Sequence, residues 1–379
     1  MPEGELLGIL ALNWQTAAML VVGGILIYLG IAKQVEPMLL IPIGAGIILA
    51  NIPLGGMTDS HGFLSLLRQA GIETELFPLL IFISLGAMID FGPLLERPYT
   101  LLLGAAGQLG IFGTFFLTYF LGEGGLRLMD FTFKDAAAIG IIGAADGPTS
   151  IYISTLLGTK YAPAIVVAAY SYMALVPIIQ PPIMRALTTV EERRVTMPVR
   201  AEKVSRSTRV LFPIVTILVV GFIAPKATPL IGTLMFGNLM RESGVLERLS
   251  RAAQNELANI VTILLGLAVG GMMVADQFLR PETITIFILG IVAFAMGTAA
   301  GVIFGKLLYV LSGKKINPLI GAAGISAFPM SARVVQKLGA EADPHNHLLM
   351  HAAGANTGGQ IGSVVAGGVV LMLLPFFLR

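Results

Sequence analysis

The sequence predicts an all-α, polytopic membrane protein built as two inverted-topology repeats of about five transmembrane helices, each repeat carrying a broken or re-entrant segment. Three observations predict it. The 379 residues are 55% hydrophobic and only 12% charged, with a mean hydropathy of +0.85, against roughly 25% charged residues in a soluble domain. Apolar runs long enough to cross a bilayer recur along the chain. Short Gly/Pro motifs of the first half return in the same order in the second.

The first run, at about 15–32, follows the acidic Glu3 and Glu5 where a secretory leader would have a basic start, so it reads as a retained span. Runs at about 37–54, 76–93, 99–121 and 162–184 complete a first series, and runs at about 209–225, 227–240, 257–275, 283–311 and 347–374 form a second. Those at 37–54 and 227–240 are marginal and rich in Gly and Pro. Each is followed by a short amphipathic segment, His61 to Ala70 and Arg241 to Arg251, expected to lie in the membrane interface. Residues 1–187 are thus a first repeat, 188–208 a linker and 209–379 a second repeat. The stretch from Arg185 to Arg209 is the only long polar one and carries Arg193, Arg194, Arg200, Lys203 and Arg206. The positive-inside rule makes it cytoplasmic, in a multi-pass protein of the inner membrane. With five spans per half both termini then lie outside, and most of the 24 lysines and arginines fall on the cytoplasmic side.

Other classes are disfavoured by composition. A net charge of +2 gives no reason to expect nucleic acid as a partner. Cysteine is absent, which removes thiolate chemistry, and three of the four histidines crowd into His345, His347 and His351, a poor basis for a zinc centre.

The halves match in detail. Glu75-Leu76 recurs as Glu256-Leu257, and Gly143, Pro148 and Ser150 recur as Gly324, Pro329 and Ser331, all at one offset; Pro42, Gly44 and Asn51 are echoed by Pro229, Gly232 and Asn238. An odd number of spans per half turns the second half upside down, the plan of many transporters, whose ion sites lie where interrupted helices meet at the midplane. Chance matches in an apolar sequence are the competing explanation; shared order and offset weigh against it.

Two interruptions sit at matched positions, Gly140 to Ser150, which contains Asp146-Gly147-Pro148, and Asn317 to Arg333. Proline lacks the N–H and clashes with the preceding turn, while glycine permits unusual dihedrals, so carbonyls are freed beside a carboxylate. Asp146 is the one acid well inside an apolar segment. A charge at the bilayer centre costs roughly 2.5–3.5 kcal/mol even on the mild translocon scale, which makes it a functional candidate; capping the broken helix is its plainer role. The late polar run from His351 to Ser363 adds amide and hydroxyl groups to an apolar span. Asp146, Asn317, Ser326, Asn356 and Thr357 would give the oxygen ligands that a hard cation prefers, although Asn and Ser in spans also act as interhelical glue. Tyr172 is deeper than an interfacial belt tyrosine such as Tyr161. Arg333 closes the second interruption, either as a snorkelling anchor or as a receiver of an anionic substrate.

The stretches Gly143 to Thr149, Asn317 to Arg333 and Leu348 to Asn356, with Phe77 to Pro93 as a further marker, resemble the β subunit of sodium-translocating, biotin-dependent decarboxylases, a family that includes oxaloacetate, methylmalonyl-CoA, glutaconyl-CoA and malonate decarboxylases. The resemblance runs from about Glu36 to the C-terminus. It implies decarboxylation of carboxybiotin coupled to export of Na⁺ with consumption of a proton. The partners it implies are a carboxyltransferase α subunit, a biotin carrier subunit, a small membrane subunit, lipid and further copies of the chain. It implies catalytic roles for Asp146, Tyr172, Ser326 and Arg333, a carboxybiotin-facing set of Arg333, Asn317 and Gly321, and Na⁺ ligands from Asp146, Asn317, Ser326 and Asn356. Thr357-Gly358-Gly359-Gln360 departs from the smaller apolar residues expected after the second asparagine. The length and N-terminus look nearer to the acyl-CoA members. A sodium- or proton-coupled secondary transporter is the alternative, because broken helices in inverted repeats serve carriers equally.

Overall fold

Every regular element of the computed structural model is helical among the described residues, 8–34, 36–198 and 204–377. Glu3 and Glu5, and Arg200 and Lys203 of the basic stretch, lie outside them. In order the main helices are α1 (Trp14–Ala32), α2 (Pro37–Asn51), α3 (Leu76–Met88), α4 (Thr100–Leu121), α5 (Phe133–Gly140), α6 (Gly147–Leu157), α7 (Ala162–Leu187), α8 (Arg206–Ile223), α9 (Thr228–Ser243), α10 (Glu247–Gly271), α11 (Pro281–Leu311), α12 (Met330–Ala342) and α13 (Leu349–Phe377). Local chemistry starts them. Asn13 and Thr16 form a capping box at α1, Thr132 and Asp135 another at α5, and the Ser205 hydroxyl accepts from the Thr208 N–H at α8.

Among the described residues six helices are long and apolar enough to cross a membrane, or up to eight if two bent pairs count as single spans. The protein is thus a multi-pass membrane protein. The ten apolar runs all become helices, with two differences. The α2 and α9 helices have only 15 and 16 residues, and both are packed against other helices, where full bilayer length is not required. The expected interfacial segments are not separate either. Phe63–Glu73 leads into α3 across a 61° bend, and Arg241 ends α9 while Glu247 already begins α10. In both halves a π-helical turn, Arg68–Glu73 and Ala253–Leu257, lies before the apolar part of the third helix.

Packing runs in exchanged pairs. In each half the first helix lies on the second, α1 on α2 and α8 on α9, while α2 packs on α10 and α9 packs on α3. The contacts are close because glycines carry them. An added Cβ on Gly46 would lie 2.5 Å from the Leu267 carbonyl oxygen, and one on Gly86 would lie 1.8 Å from that of Leu234, the small-residue packing by which helices associate in lipid. Asn51 donates to the Met273 carbonyl (2.8 Å) and accepts from the Ala275 N–H (3.0 Å); Asn238 donates to the Ile89 carbonyl (3.3 Å). The two asparagines matched in sequence therefore bind the opposite half at corresponding places.

The peripheral helices α1 and α8 turn apolar side chains such as Val21, Leu218 and Phe222 outward. The central ones, α11 and α13, are about half buried. Between them the chain breaks twice. After α5 a 3₁₀ turn, Ile141–Ala144, leads to left-handed Ala145 (φ 53°) and extended Asp146, where α6 begins at Gly147-Pro148. Asn317 is extended and opens a 3₁₀ turn, Pro318–Gly324, followed by extended Ile325 and then α12. The breaks touch directly, since the Ser326 N–H donates to the Ala144 carbonyl at 3.0 Å. Helices α4, α11 and α13 hold them by glycine contacts, Gly107 against Gly324, Gly110 against Gly143, Gly301 against Gly321 and Gly359 against Gly324.

Candidate functional site

Asp146 is the N-cap residue of α6. Its Oδ1 accepts from the Thr149 N–H (3.3 Å), and its Oδ2 accepts from the Thr149 hydroxyl (2.7 Å) and the Ser363 hydroxyl of α13 (2.9 Å). The carboxyl is 3% exposed, and no lysine or arginine among the described residues forms an ion pair with it. Capping and a buried charge thus coincide in one residue. Neutral donors and the positive end of α6 are its partners, an arrangement that leaves room for a cation or a proton.

From Asp146 a continuous set of hydrogen bonds crosses to the second break. The Ser363 hydroxyl also lies 3.0 Å from the Gln360 carbonyl. The Gln360 amide donates to the Ser326 carbonyl, and the Ser326 hydroxyl donates to the Gly359 carbonyl at 2.8 Å. One turn earlier on α13, Asn356 donates to the carbonyls of Ile325 (2.7 Å) and Ala323 (3.2 Å). Asp146, Ser326 and Asn356 are therefore brought together, buried, where the two interruptions meet. Thr357 is buried too, but its hydroxyl donates to the Gly354 carbonyl of its own helix at 3.0 Å.

The other sequence candidates lie elsewhere. Both ends of the Asn317 amide are engaged away from this cluster: its nitrogen donates to the carbonyls of Arg193 (2.9 Å) and Val195 (2.8 Å), and its oxygen accepts from the Leu319 N–H (3.0 Å). It clamps the polar linker to the start of the 3₁₀ turn. Gly321 serves close approach. A Cβ there would lie 1.9 Å from the Gly301 carbonyl oxygen on α11, so Gly321→Ala should destabilise the purified protein by roughly 1–3 kcal/mol or more through overpacking. Thermal unfolding checks this; an unchanged midpoint would mean that the turn and α11 separate freely. Arg333 is exposed in the first turn of α12, within electrostatic reach of Glu36. Burial pushes the Glu36 carboxyl above its ordinary range, and the Arg333 guanidinium pulls it the other way.

Tyr172 is buried, but its hydroxyl donates to the Phe287 carbonyl and its ring packs edge-on to Phe287. It ties α7 to α11, just before α7 bends by 66°. Residues two apart on a helix point in nearly opposite directions, and it is Tyr170 that turns toward the first break. A Cβ on Gly147 would lie 2.4 Å from the Tyr170 ring, and Asp146 lies within its electrostatic reach. The Tyr170 hydroxyl is buried and has no hydrogen-bond partner among the described residues.

Several residues of the site escaped sequence reasoning. Thr149 and Ser363 stood within the quoted motifs, but nothing in the sequence shows that they converge on one carboxylate. Gln108 is the one amide inside the apolar run of α4, a polar residue in a span that warranted attention; it donates to the Gly104 carbonyl at 3.0 Å and also reaches those of Gly324 and Gly359. Arg97 is mostly buried and borders a cleft of 580 Å³ with Tyr99, Pro198, Lys315 and His351. That cleft lies on the linker side, next to Pro198, and carries Arg97 and Lys315 beside Glu96, which pairs with Arg97 at 3.7 Å.

A family model described as the β subunit of Na⁺-transporting oxaloacetate decarboxylase matches residues 15–374. The β subunit of methylmalonyl-CoA decarboxylase from Veillonella parvula is 52% identical over 367 residues, covering 97% of this chain and 95% of that protein. The β subunit of glutaconyl-CoA decarboxylase from Acidaminococcus fermentans is 51% identical over the same length and coverage. Oxaloacetate decarboxylase β chain 2 from Salmonella typhi is 49% identical over 420 residues, covering 96% of each chain.

Proposed function

This chain belongs to the family of Na⁺-transporting decarboxylase β subunits, and from that premise we propose that it decarboxylates carboxybiotin presented by a partner carrier protein and uses the reaction to export Na⁺. A decarboxylase subunit role coupled to Na⁺ transport follows from the family itself. The donor, the proton and the direction are the parts of this reading that need experiment. Its setting is the inner membrane with the basic linker cytoplasmic, the carboxyltransferase, biotin carrier and small membrane subunit being the partners. Inverted repeats at 1–187 and 209–379 fit the exchanged helix pairs and the doubled asparagine contacts.

Loss of CO₂ breaks the bond between the carboxyl carbon and the ureido nitrogen, and that nitrogen takes up a proton. The Asp146 carboxyl can supply it. When Na⁺ takes the place of the proton, the displaced proton passes by way of the Tyr170 hydroxyl toward the ureido group, and Asp146 regains a proton once Na⁺ has left. A buried, water-poor position favours loss of CO₂ from a less hydrated carboxylate. Arg333 and the recess at Arg97 and Lys315 offer positive charge to the incoming carboxylate. The observation that carries this reading is a buried Asp146 held by neutral donors alone at the junction of two helix breaks. The chain aligns with the acyl-CoA relatives over 367 residues and with the oxaloacetate chain over 420, and the more compact match favours an acyl-CoA as the carboxyl donor.

The test is to capture the native complex on monomeric avidin and follow CO₂ release from carboxybiotin together with Na⁺ uptake into inverted vesicles. CO₂ release that requires Na⁺, and uptake that stops when the carboxybiotin is exhausted, are expected. Decarboxylation indifferent to Na⁺, or transport of a solute by the chain in liposomes with no biotinylated partner, would instead mark a secondary transporter. Methylmalonyl-CoA or glutaconyl-CoA is expected to sustain turnover better than oxaloacetate.

A further inference from the structure

Five successive carbonyls of the second break, from Ala322 to Ser326, each accept from a side-chain amide. Gln180 donates to Ala322 (2.8 Å), Asn356 to Ala323 and Ile325, Gln108 to Gly324 (3.4 Å) and Gln360 to Ser326. An amide has a donor end and an acceptor end, and carbonyl partners fix which end faces them, because the reversed amide would set oxygen against oxygen. The oxygen ends are therefore turned away from the backbone. All four are buried and have no hydrogen-bond partner among the described residues. Such acceptors are costly to leave alone in a low-dielectric interior, and the hydroxyls of Ser326, Thr357 and Thr149 donate elsewhere, to Gly359, Gly354 and Asp146. A hard cation is a partner that would satisfy them.

Three of the four, Gln108, Asn356 and Gln360, hold the consecutive carbonyls from Ala323 to Ser326, the end of the break that meets Ala144 just before Asp146. Gln108 reaches the Gly359 carbonyl, and Gln360 is linked to Asp146 through Ser363. Neutral amide oxygens are the ligand type that hard monovalent and divalent cations accept beside a single carboxylate. Here they come from two different helices, α4 and α13, that also grip the second break.

We propose that Gln108 and Gln360, together with Asn356, turn their amide oxygens onto the transported Na⁺ beside the second break, and that Gln360 sets how tightly the ion is held. The proposal rests on the sodium-transport reading and deepens it. It also gives a reason for an amide at position 360, where the resemblance led to a smaller apolar residue: this chain places an additional oxygen in its ion path. A change in ion affinity, rather than in the chemical step, is its signature.

The experiment is radiosodium binding to the detergent-purified complex, with ionic strength held by choline chloride. Gln360→Met and Gln108→Met are close in size to the parent and remove the oxygen. Each is expected to raise the Na⁺ concentration for half-saturation about tenfold, equivalent to roughly 1.4 kcal/mol of binding. Wild-type half-saturation in both variants would mean that the oxygens hold water, and the proposal would fall. Should the methionine variants not assemble with the partner subunits, Gln360→Glu decides: its protonated carboxyl can donate to the Ser326 carbonyl as the amide does and still presents an oxygen, so half-saturation close to wild type is expected, and a tenfold rise overturns the proposal. The same measurement on Asp146→Asn separates the two readings. Loss of binding there alone leaves the Asp146 reading standing and refutes this one; weakening in the glutamine variants alone does the reverse.

Discussion

Asp146→Asn is expected to reduce both Na⁺-dependent decarboxylation and Na⁺ uptake into inverted vesicles by at least about 100-fold, the lower range for loss of a positioned proton donor, with the protein still folded and assembled. The substitution is nearly isosteric. Asparagine caps a helix about as well as aspartate, so the Thr149 N–H and the start of α6 keep their partner. Removing an ionisable carboxyl that no lysine or arginine among the described residues pairs with also relieves the desolvation cost of its charged form, so stability should hold or rise. What disappears is the capacity to exchange a proton for a cation. Comparing thermal unfolding with both activities separates the two effects, and robust pumping by the variant would defeat the coupling scheme.

Tyr170→Phe is the second change with a large expected effect. It deletes one hydroxyl and leaves the ring that packs over Gly147. Because that hydroxyl is buried and unpartnered, its removal should not weaken the fold. At saturating Na⁺ the decarboxylation rate should fall by about 100-fold, as for loss of a general acid–base group, while the Na⁺ concentration for half-maximal activity stays in place. Tyr172→Phe differs in kind, because it loses the bond to the Phe287 carbonyl; a stability loss of about 1 kcal/mol is expected, the usual net worth of one hydrogen bond. A normal rate in Tyr170→Phe alongside a collapsed rate in Tyr172→Phe would move the proton path to the α11 side of α7. The proposed relay would then be wrong.

The contrast between these two tyrosines shows where sequence reasoning reaches its limit. Both lie in one apolar helix, and the resemblance pointed to Tyr172, yet which side of α7 faces the first break depends on how the helix is rotated against α6 and α11. Asn317 makes the same point. It has the chemistry of a cation ligand, but the structure turns its amide onto the linker carbonyls of Arg193 and Val195. Amphipathic composition marked the segments after the marginal runs, but it could not show that Phe63–Glu73 meets α3 at a 61° bend or that Glu247 already begins α10.

Sequence alone determined the all-helical membrane class and the positions of both interruptions, and it singled out Asp146, Ser326 and Asn356, which the structure brings together. Those properties follow from local composition: apolar length sets spans, Gly and Pro break them, and a carboxylate in an apolar segment stands out by its desolvation cost. Tertiary structure decided that the Ser326 N–H meets the Ala144 carbonyl, that Ser363 and Thr149 share one carboxylate, and that Gln108 and Gln360 leave their oxygens free. Each of these is a contact between segments far apart in the chain, and only the glycine-to-backbone packing of α4, α11 and α13 brings the two breaks close enough to make them.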